Sequence, residues 1–217
     1  MKIGIVGATG SFGKGLAYRW AKKHTIYIGS RWREKGEQRA RDYRLELQKY
    51  SIDARLVGTS NQDAIANGDV IVLSVKFEHL MPLLADSGEQ FRNKIVISPI
   101  VSLKKGQSFQ YVPPSAGSVA LLIQEMLPNS TIVSALHTIP ANRLQSPDMI
   151  LEGDVPICGD NREAKETVIS LIKEIEQLNP IDAGPLEVSK MVEPIVPLIL
   201  NIKQYGLKRN ASIKFIK

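Results

Sequence analysis

A glycine-rich segment near the N-terminus could bind the pyrophosphate of a dinucleotide. Residues 7–13 read GATGSFG and directly follow residues 2–6, an apolar run that predicts a strand. In this context Gly10 would let the backbone approach a phosphate, and Gly13 would let the next helix pack closely on the strand. That helix would offer unpaired N–H groups to the phosphates. The alternative, a purely structural glycine turn, is disfavoured by the flanking strand and helix.

The residues at the end of the second predicted strand favour NADP(H) over NAD(H). NAD-binding sites usually carry a carboxylate there, which binds the ribose 2′-hydroxyl. Here the chain reads GSRWREK, with no carboxylate at that place and with Arg31, Arg33 and Lys35 close together. Cations suit a 2′-phosphate. Ser30 and Arg31 are the stronger candidates, whereas Arg33 could simply begin a solvated helix. Thr9 can reach the same phosphate from the glycine loop.

No other segment resembles a catalytic device. There is no Gly-x-Ser-x-Gly elbow and no Ser/His/Asp arrangement that spacing can identify. Hydride transfer needs only the nicotinamide C4 held roughly 3–3.5 Å from the acceptor in a slot that excludes water. Loops at the carboxyl ends of the strands build such a slot. The candidate loop residues are Ser74, Val75, Lys76, Ser98, Pro99, Ile100, Val101, His137, Thr138, Ile139 and Pro140.

His137 and Cys158 are the two side chains whose chemistry leaves alternatives. His137 stands at a predicted strand end and could donate a hydrogen bond to a carbonyl of the acceptor. A structural histidine that caps the loop is an equal alternative. Cys158 is better interpreted as a small core residue than as a nucleophile. The three histidines and the cysteine are too scattered for the usual ligand spacing of a metal site.

Strands and helices alternate along the sequence, and their ends would position these loops. This alternation predicts a doubly wound parallel sheet. Strands are predicted over residues 2–6, 24–28, 69–75, 94–98, 130–135, 155–158 and 180–183. A first helix is predicted from Phe12, Leu16 and Trp20, which fall on one face, and further helices over 33–50, 78–85, 116–126 and 161–178, with a loop over 141–152. Residues 186–203 predict an apolar helix that Pro194 and Pro197 would kink. That helix is either the last core element or a packing surface for a second subunit.

Composition and charge limit the class of protein. The chain has 217 residues, of which 43% are hydrophobic and 23% charged, as in ordinary globular proteins. The net charge of +6 is compatible with binding to nucleic acid, to an anionic membrane or to a polyanionic small molecule. A solvated basic surface without such a partner is the alternative. No helix-turn-helix, zinc-finger or RNP signature is present. There is no apolar run of about 18 residues, no signal peptide, and one cysteine, which cannot form an intrachain disulfide. We therefore expect a cytoplasmic protein without a membrane or nucleic-acid partner.

The chain resembles the archaeal NADPH-dependent coenzyme F420 reductases, also called F420H2:NADP oxidoreductases. The resemblance spans nearly the whole chain and includes the glycine loop and the residues after the second strand. The most specific segments are HTIP at residues 137–140 and DAGPL at residues 182–186. Further matching segments are VISP at 96–99, VSAL at 133–136, DVPICGD at 154–160 and PLILN at 197–201.

This resemblance implies a fold, a reaction and an assembly. The fold is a Rossmann-type doubly wound parallel sheet with a small C-terminal α/β extension. Residues 1–140 would form the NADP-binding domain, and residues 141–217 a small domain that completes the deazaflavin site and makes the contact of a homodimer. The reaction is reversible hydride transfer between NADPH and the 5-deazaflavin of F420.

The resemblance also assigns residues. Thr9, Ser30, Arg31 and Lys35 match the 2′-phosphate site, while Ser74, His137, Ile139 and Pro140 match the surroundings of the two rings. His137 and Ile139 would position the rings, and no acid–base triad is expected. The full cofactor-binding set is Gly7, Thr9, Gly10, Ser11, Phe12, Gly13, Ser30, Arg31, Lys35, Ser74, Val75, Ser98, Pro99, His137, Ile139, Pro140 and Ala141.

The chain departs from the family pattern at three places. Lys76 stands where proline or another neutral residue is expected, Lys190 where arginine is expected, and Val196 where threonine is expected. An arginine-to-lysine change keeps the charge but loses the bidentate fork. Two alternatives therefore stay open: reduction of another acceptor, namely a flavin, ferric complex or imine, and a non-catalytic NADPH sensor. Residues 141–217 are short for the helical dimerisation domain that imine reductases need.

Overall fold

Eight strands form one sheet in the computed structural model, which describes residues 1–208 and 210–216. The strands of the chain are β1 (Lys2–Val6), β2 (Thr25–Ser30), β3 (Leu56–Ser60), β4 (Val70–Leu73), β5 (Ile95–Ser98), β6 (Leu103–Lys105), β7 (Phe109–Tyr111), β8 (Thr131–Ser134), β9 (Gly153–Cys158) and β10 (Leu178–Gly184). The sheet has the order β10-β9-β8-β5-β4-β1-β2-β3, and β6 and β7 form a separate antiparallel hairpin.

Helices cover both faces of this sheet. They are α1 (Ser11–Trp20), α2 (Arg33–Gln48), α3 (Asn61–Asn67), α4 (Leu80–Ser87), α5 (Val119–Met126), α6 (Ala141–Leu144), α7 (Arg162–Lys173), α8 (Ser189–Val192) and α9 (Ile195–Asn201). One apolar core joins the strands to α1, α2 and α7, and a second joins them to α4 and α5. The predicted Rossmann-type α/β fold with a C-terminal α/β extension is thereby confirmed.

The C-terminal extension continues the main sheet. Strand β9 pairs with β8 in antiparallel fashion, where Ser134 faces Cys158, and β10 pairs with β9 in parallel. The remaining pairs of the sheet are parallel. Because β2 and β4 flank β1 on opposite sides, the carboxyl ends of β1 and β4 lie at the point where the strand order reverses. Open α/β sheets bind their ligands there.

Several elements differ from the predicted ones. Strand β3, helix α3 and the β6–β7 hairpin lie in segments with no predicted element, and the predicted loop 141–152 contains α6. The predicted apolar helix over 186–203 is interrupted. It consists of a 3-10 turn (Leu186–Val188), α8, α9 and a π-helical turn (Ile202–Leu207). Pro194 precedes α9 as its N-cap, a position at which proline does not cost a helical hydrogen bond.

Arg19 holds the chain that follows the HTIP segment. Its guanidinium, on α1, donates hydrogen bonds to the backbone carbonyls of five residues within 143–149, at 2.6–3.3 Å. Guanidinium has five N–H donors in a fixed fork, so it can satisfy several carbonyls at once. The segment after His137 is therefore fixed to the helix that begins at the glycine loop.

Candidate active site

Two adjoining cavities open at the carboxyl ends of the parallel strands. The first, of about 610 Å³, lies between the glycine loop, the end of β2, the start of α3, and α4. The second, of about 780 Å³, lies between the start of α1, the loops after β4, β5 and β8, and the β6–β7 hairpin. Four residues line both, so the cavities meet there: Gly10, Ser74, Val75 and Lys76.

The glycine loop is shaped by two different demands. Gly7 has a φ of +74°, and a Cβ on it would lie 2.6 Å from the carbonyl oxygen of Ser74. A Cβ on Gly13 would lie 2.6 Å from Cα of Ala8, so glycine is required there for α1 to pack on β1. A Cβ on Gly10 would meet nothing closer than 3.5 Å within the chain. Packing does not require glycine at position 10, whereas a ligand approaching its backbone from either cavity would.

Two side chains from other elements hold this loop. Asn61, the first residue of α3, accepts a hydrogen bond from the backbone N–H of Gly7 at 3.1 Å. Tyr43 of α2 donates its hydroxyl to the carbonyl oxygen of Ala8 at 3.2 Å. Burial raises the pKa of Tyr43 to about 12, so the hydroxyl keeps its proton at neutral pH. Asn61 was not predicted because it lies in a segment to which the sequence assigned no element.

The N-terminus of α1 is open toward the cavities. Gly10 is its N-cap, without a side-chain hydrogen bond, and no acidic residue stands in the first turn. The first N–H groups of the helix and the positive end of its dipole are therefore free for an anion. This is the arrangement that binds a pyrophosphate in dinucleotide-binding folds.

Cations surround the end of β2. Ser30, Arg31 and Lys35 line the first cavity, together with the exposed indole of Trp32. Arg33 does not line either cavity and pairs instead with Asp63 of α3. The carboxylate that does line the first cavity, Asp86, comes from α4 and not from β2.

Apolar side chains form much of the second cavity's lining, with an imidazole in its wall. Phe12, Pro99 and Ile139 contribute to its lining, and His137 follows Leu136, whose φ is +70°. That left-handed conformation is uncommon for a residue other than glycine and is often found at functional sites. Both ring nitrogens of His137 are buried, and neither has a hydrogen-bond partner among the described residues. Burial lowers the pKa of His137 to about 4, so at neutral pH the ring is uncharged, with one N–H to donate.

Of the seventeen residues in the predicted cofactor-binding set, thirteen line these cavities and four do not, and the candidate loop residue Thr138 does not line them either. Gly13 allows α1 to pack on β1, and the hydroxyl of Ser98 is buried without a hydrogen-bond partner among the described residues. Pro140 precedes α6 and Ala141 begins it. Residues that the sequence did not indicate complete the linings: Trp32, Ser60, Asn61, Gln62, Leu73, Phe77, Glu78, His79, Pro82, Leu83, Leu103, Lys105, Asp86, Ser87 and Leu136.

Cys158 lies outside both cavities, fully buried at the end of β9. Burial raises the pKa of its thiol to about 11, so the thiolate is scarce at neutral pH. Among residues 1–208 and 210–216, no group of three or more His, Cys, Asp or Glu side chains is arranged to hold a metal ion. The helices in the same part of the chain are each too short or too polar to span a bilayer.

The chain has a Rossmann fold with an open glycine loop, and cations take the place of the carboxylate at the end of β2. A second cavity meets the first. Together these features define an NADP-binding oxidoreductase. The family model described as NADP oxidoreductase, coenzyme F420-dependent, matches residues 2–102. An F420-dependent NADP reductase of Methanocaldococcus jannaschii is 38% identical over 94% of this chain and 93% of its own. The chain belongs to the F420-dependent NADP reductase family.

Two further proteins extend this likeness. An F420-dependent NADP reductase of Methanothermobacter thermautotrophicus is 33% identical over 99% of this chain and 94% of its own. A solved structure from Arthrobacter sp. FB24, of a proposed F420-dependent NADP reductase, covers both chains completely with a TM-score of 0.82 and 23% identity. The latter likeness bears on the fold alone.

Proposed function

We propose that this protein catalyses reversible hydride transfer between NADPH and the 5-deazaflavin ring of coenzyme F420. The observation that carries the proposal is the meeting of the two cavities at Ser74 and Val75, beside Gly10. One cavity has the anion-binding features of a dinucleotide site, and the other has the apolar walls that suit a flat tricyclic ring. Two rings that enter from the two cavities would face each other at this boundary.

The first cavity supplies the binding energy and selectivity for NADPH. The open end of α1 would bind the pyrophosphate, with Gly10 allowing close approach. Arg31 and Lys35 would bind the 2′-phosphate, with the hydroxyls of Ser30 and Thr9 as further donors. The absence of a carboxylate at the end of β2 removes the group that would repel this phosphate.

The second cavity orients the acceptor. Phe12, Pro99 and Ile139 would pack against the deazaflavin and exclude water, and neutral His137 would donate its N–H to a ring carbonyl. When both coenzymes are bound, the dihydronicotinamide gives a hydride from C4 to C5 of the deazaflavin, and one proton from water completes the formation of NADP⁺ and reduced F420. Once the two rings are placed in this way, hydride transfer between them requires no protein nucleophile.

The C-terminal residues 141–217 are proposed as the small domain that follows the NADP-binding domain, residues 1–140, and as the contact of a homodimer. Large apolar side chains are exposed along this part of the chain: Met191, Leu198, Ile202, Tyr205 and Leu207. Large exposed apolar side chains favour an interface where they lie together. We also propose a cytoplasmic location, because the lone Cys158 fits a reducing compartment. The basic charge is assigned to polyanionic coenzymes and not to nucleic acid.

One assay tests donor and acceptor together. The purified protein is mixed with NADPH and oxidised F420, and the loss of the deazaflavin's visible absorbance is followed, with NADH as the parallel donor. Rapid bleaching with NADPH and slow bleaching with NADH are expected. Bound NADPH without bleaching would contradict the proposed acceptor. Parallel reactions with flavin mononucleotide and a ferric chelate would then separate another reductase from a non-catalytic sensor.

A further inference from the structure

Two lysines and one glutamate line the second cavity, although hydride transfer itself uses no cation there. Lys76 and Lys105 line this cavity, and Lys105 is the last residue of β6. The ammonium of Lys76 lies 3.6 Å from Glu78 in an exposed pair, which is a weak interaction in water. The ammonium of Lys105 lies 5.7 Å from the centre of the Phe109 ring. No carboxylate is paired with Lys105 within the described residues.

The hairpin that carries Lys105 is fixed to the C-terminal helices. The side-chain amide of Asn201 accepts a hydrogen bond from the backbone N–H of Phe109 at 2.8 Å and donates one to its carbonyl oxygen at 2.9 Å. The amide of Gln204 donates to the carbonyl oxygen of Gln107 at 2.9 Å. The two hydrogen bonds from Asn201 take the place of the backbone hydrogen bonds that a neighbouring strand would make with Phe109. The hairpin backbone is therefore held in place beside the cavity.

A buried carboxylate anchors the other strand of the hairpin. Glu193 is fully buried and accepts a hydrogen bond from the hydroxyl of Tyr111 at 2.9 Å. It also accepts the backbone N–H groups of Val119 and Ala120, at the start of α5, at 2.9 and 3.1 Å. A carboxylate at a helix N-terminus is stabilised by the unpaired N–H groups and the helix dipole. The position of Lys105 is thus determined by contacts that reach into the core.

We propose that Lys105, together with Lys76, binds the anionic side chain of F420 while the ring occupies the apolar part of the same cavity. This inference rests on the proposed function. The side chain of F420 carries a phosphate and a glutamate tail, which the apolar walls cannot accommodate. Ammonium groups bind phosphate and carboxylate through charge-assisted hydrogen bonds. Because both lysines are exposed to water, the interaction is sensitive to ionic strength.

The test compares two substrates and two lysines. The substrates are F420 and the same deazaflavin with its ribityl chain but without the phosphate and glutamates, each with saturating NADPH. The variants are Lys105→Gln and the matched control Lys104→Gln. Lys104 is exposed on the same strand but does not line the cavity. The quantity measured is the ratio of kcat/KM for F420 to kcat/KM for the substrate without the tail.

Lys105→Gln is expected to lower this ratio by about tenfold, the scale of one charge-assisted contact. Lys104→Gln is expected to change it by less than about twofold, as an exposed charge outside the site would. High salt should reduce the ratio in the wild type and leave it nearly unchanged in Lys105→Gln.

Other outcomes overturn the inference in distinguishable ways. Equal losses on both substrates would mean that the substitution moves the hairpin, and equal effects of the two variants would mean diffuse surface charge. If the wild type reduces both substrates and Lys105→Gln leaves the ratio unchanged, the inference fails and the proposed function stands. If the wild type reduces neither with NADPH, the proposed function fails, and the inference fails with it.

Discussion

The side-chain oxygen of Asn61 accepts the backbone N–H of Gly7 across 3.1 Å, which joins the start of α3 to the turn after β1. Asn61→Ala removes this acceptor and leaves the N–H of Gly7 without its partner. We expect the KM for NADPH to rise by about five- to tenfold, because a net contribution of about 1 kcal/mol to loop geometry is lost. The KM for F420 should change less. Steady-state kinetics with each coenzyme varied in turn measures both.

Asn67→Ala is the matched control for this prediction. Asn67 ends the same helix, is exposed, and donates to a backbone carbonyl within α3, away from the glycine loop. It should leave the KM for NADPH unchanged. Similar increases in the two variants would show that the stability of α3 matters and the bond to Gly7 does not.

The glycine loop predicts opposite consequences for two alanine substitutions. Gly13→Ala places a Cβ 2.6 Å from Cα of Ala8, so α1 must shift, and we expect a loss of unfolding free energy of about 1–3 kcal/mol. Gly10→Ala places a Cβ in space that the chain leaves open. It should lower the unfolding free energy by no more than about 1 kcal/mol, because alanine is a poorer N-cap than glycine. It should also raise the Kd for NADPH by about tenfold or more, since the methyl group would meet the ligand.

Urea unfolding and NADPH titration of both variants decide this prediction. A Gly10→Ala that loses more stability than Gly13→Ala, or a Gly13→Ala with normal stability and weak binding, would reverse the two assigned roles. The close approach at Gly10 would then have no support.

The 2′-phosphate assignment predicts a donor-specific loss. Arg31→Glu replaces a cation of the first cavity by an anion, so kcat/KM for NADPH should fall by at least about a hundredfold and that for NADH by only a few-fold. Arg33→Glu is the internal comparison, because Arg33 pairs with Asp63 and does not line the cavity. It should alter the NADPH-to-NADH preference little. Equal losses with both donors in Arg31→Glu would contradict the assignment.

Much of the central sheet could be predicted because buried parallel strands are short, continuous apolar runs. Strands β1, β4 and β5 are of this type, and the expected glycine loop connects β1 to α1. Strand β3 is different. It lies at the sheet edge and contains Gly58, Thr59 and Ser60, so its composition is typical of a loop. Asn61 was missed for the same reason, although Ser60 and Asp63 form a recognisable N-cap pattern.

The part of the site that the β6–β7 hairpin forms could not be predicted from local sequence patterns. The β6–β7 hairpin has two strands of three residues each, and its position depends on Asn201 and Glu193, which are 92 and 82 residues away from their partners in the chain. Nothing near Lys105 in sequence indicates that it lines a cavity. The same holds for Arg19, whose partners are five carbonyls more than a hundred residues distant. Hydrogen bonds between residues so far apart leave no periodic pattern in the sequence from which they could be predicted.

The buried imidazole of His137 predicts a pH dependence of stability. Its pKa is about 4 in the folded protein, below the ordinary value of 6.5, because burial disfavours the charged form. Above pH 6.5 the ring is neutral in both states, and the full stability is present. As the pH falls, the unfolded chain takes up the proton first, so stability is lost progressively between about 6.5 and about 4. Across this range the free energy of unfolding falls by up to about 3 kcal/mol.

His137→Asn removes this titration while keeping a polar side chain. The free energy of unfolding, measured in urea at pH 7, 5.5 and 4.5, should fall more steeply with acidification in the wild type than in the variant. His79→Asn, at an exposed histidine of α4's N-cap, should keep the wild-type slope. Parallel slopes for the wild type and His137→Asn would mean that the pKa of His137 is the same in the folded and unfolded states. The lowering of its pKa by burial would then be contradicted.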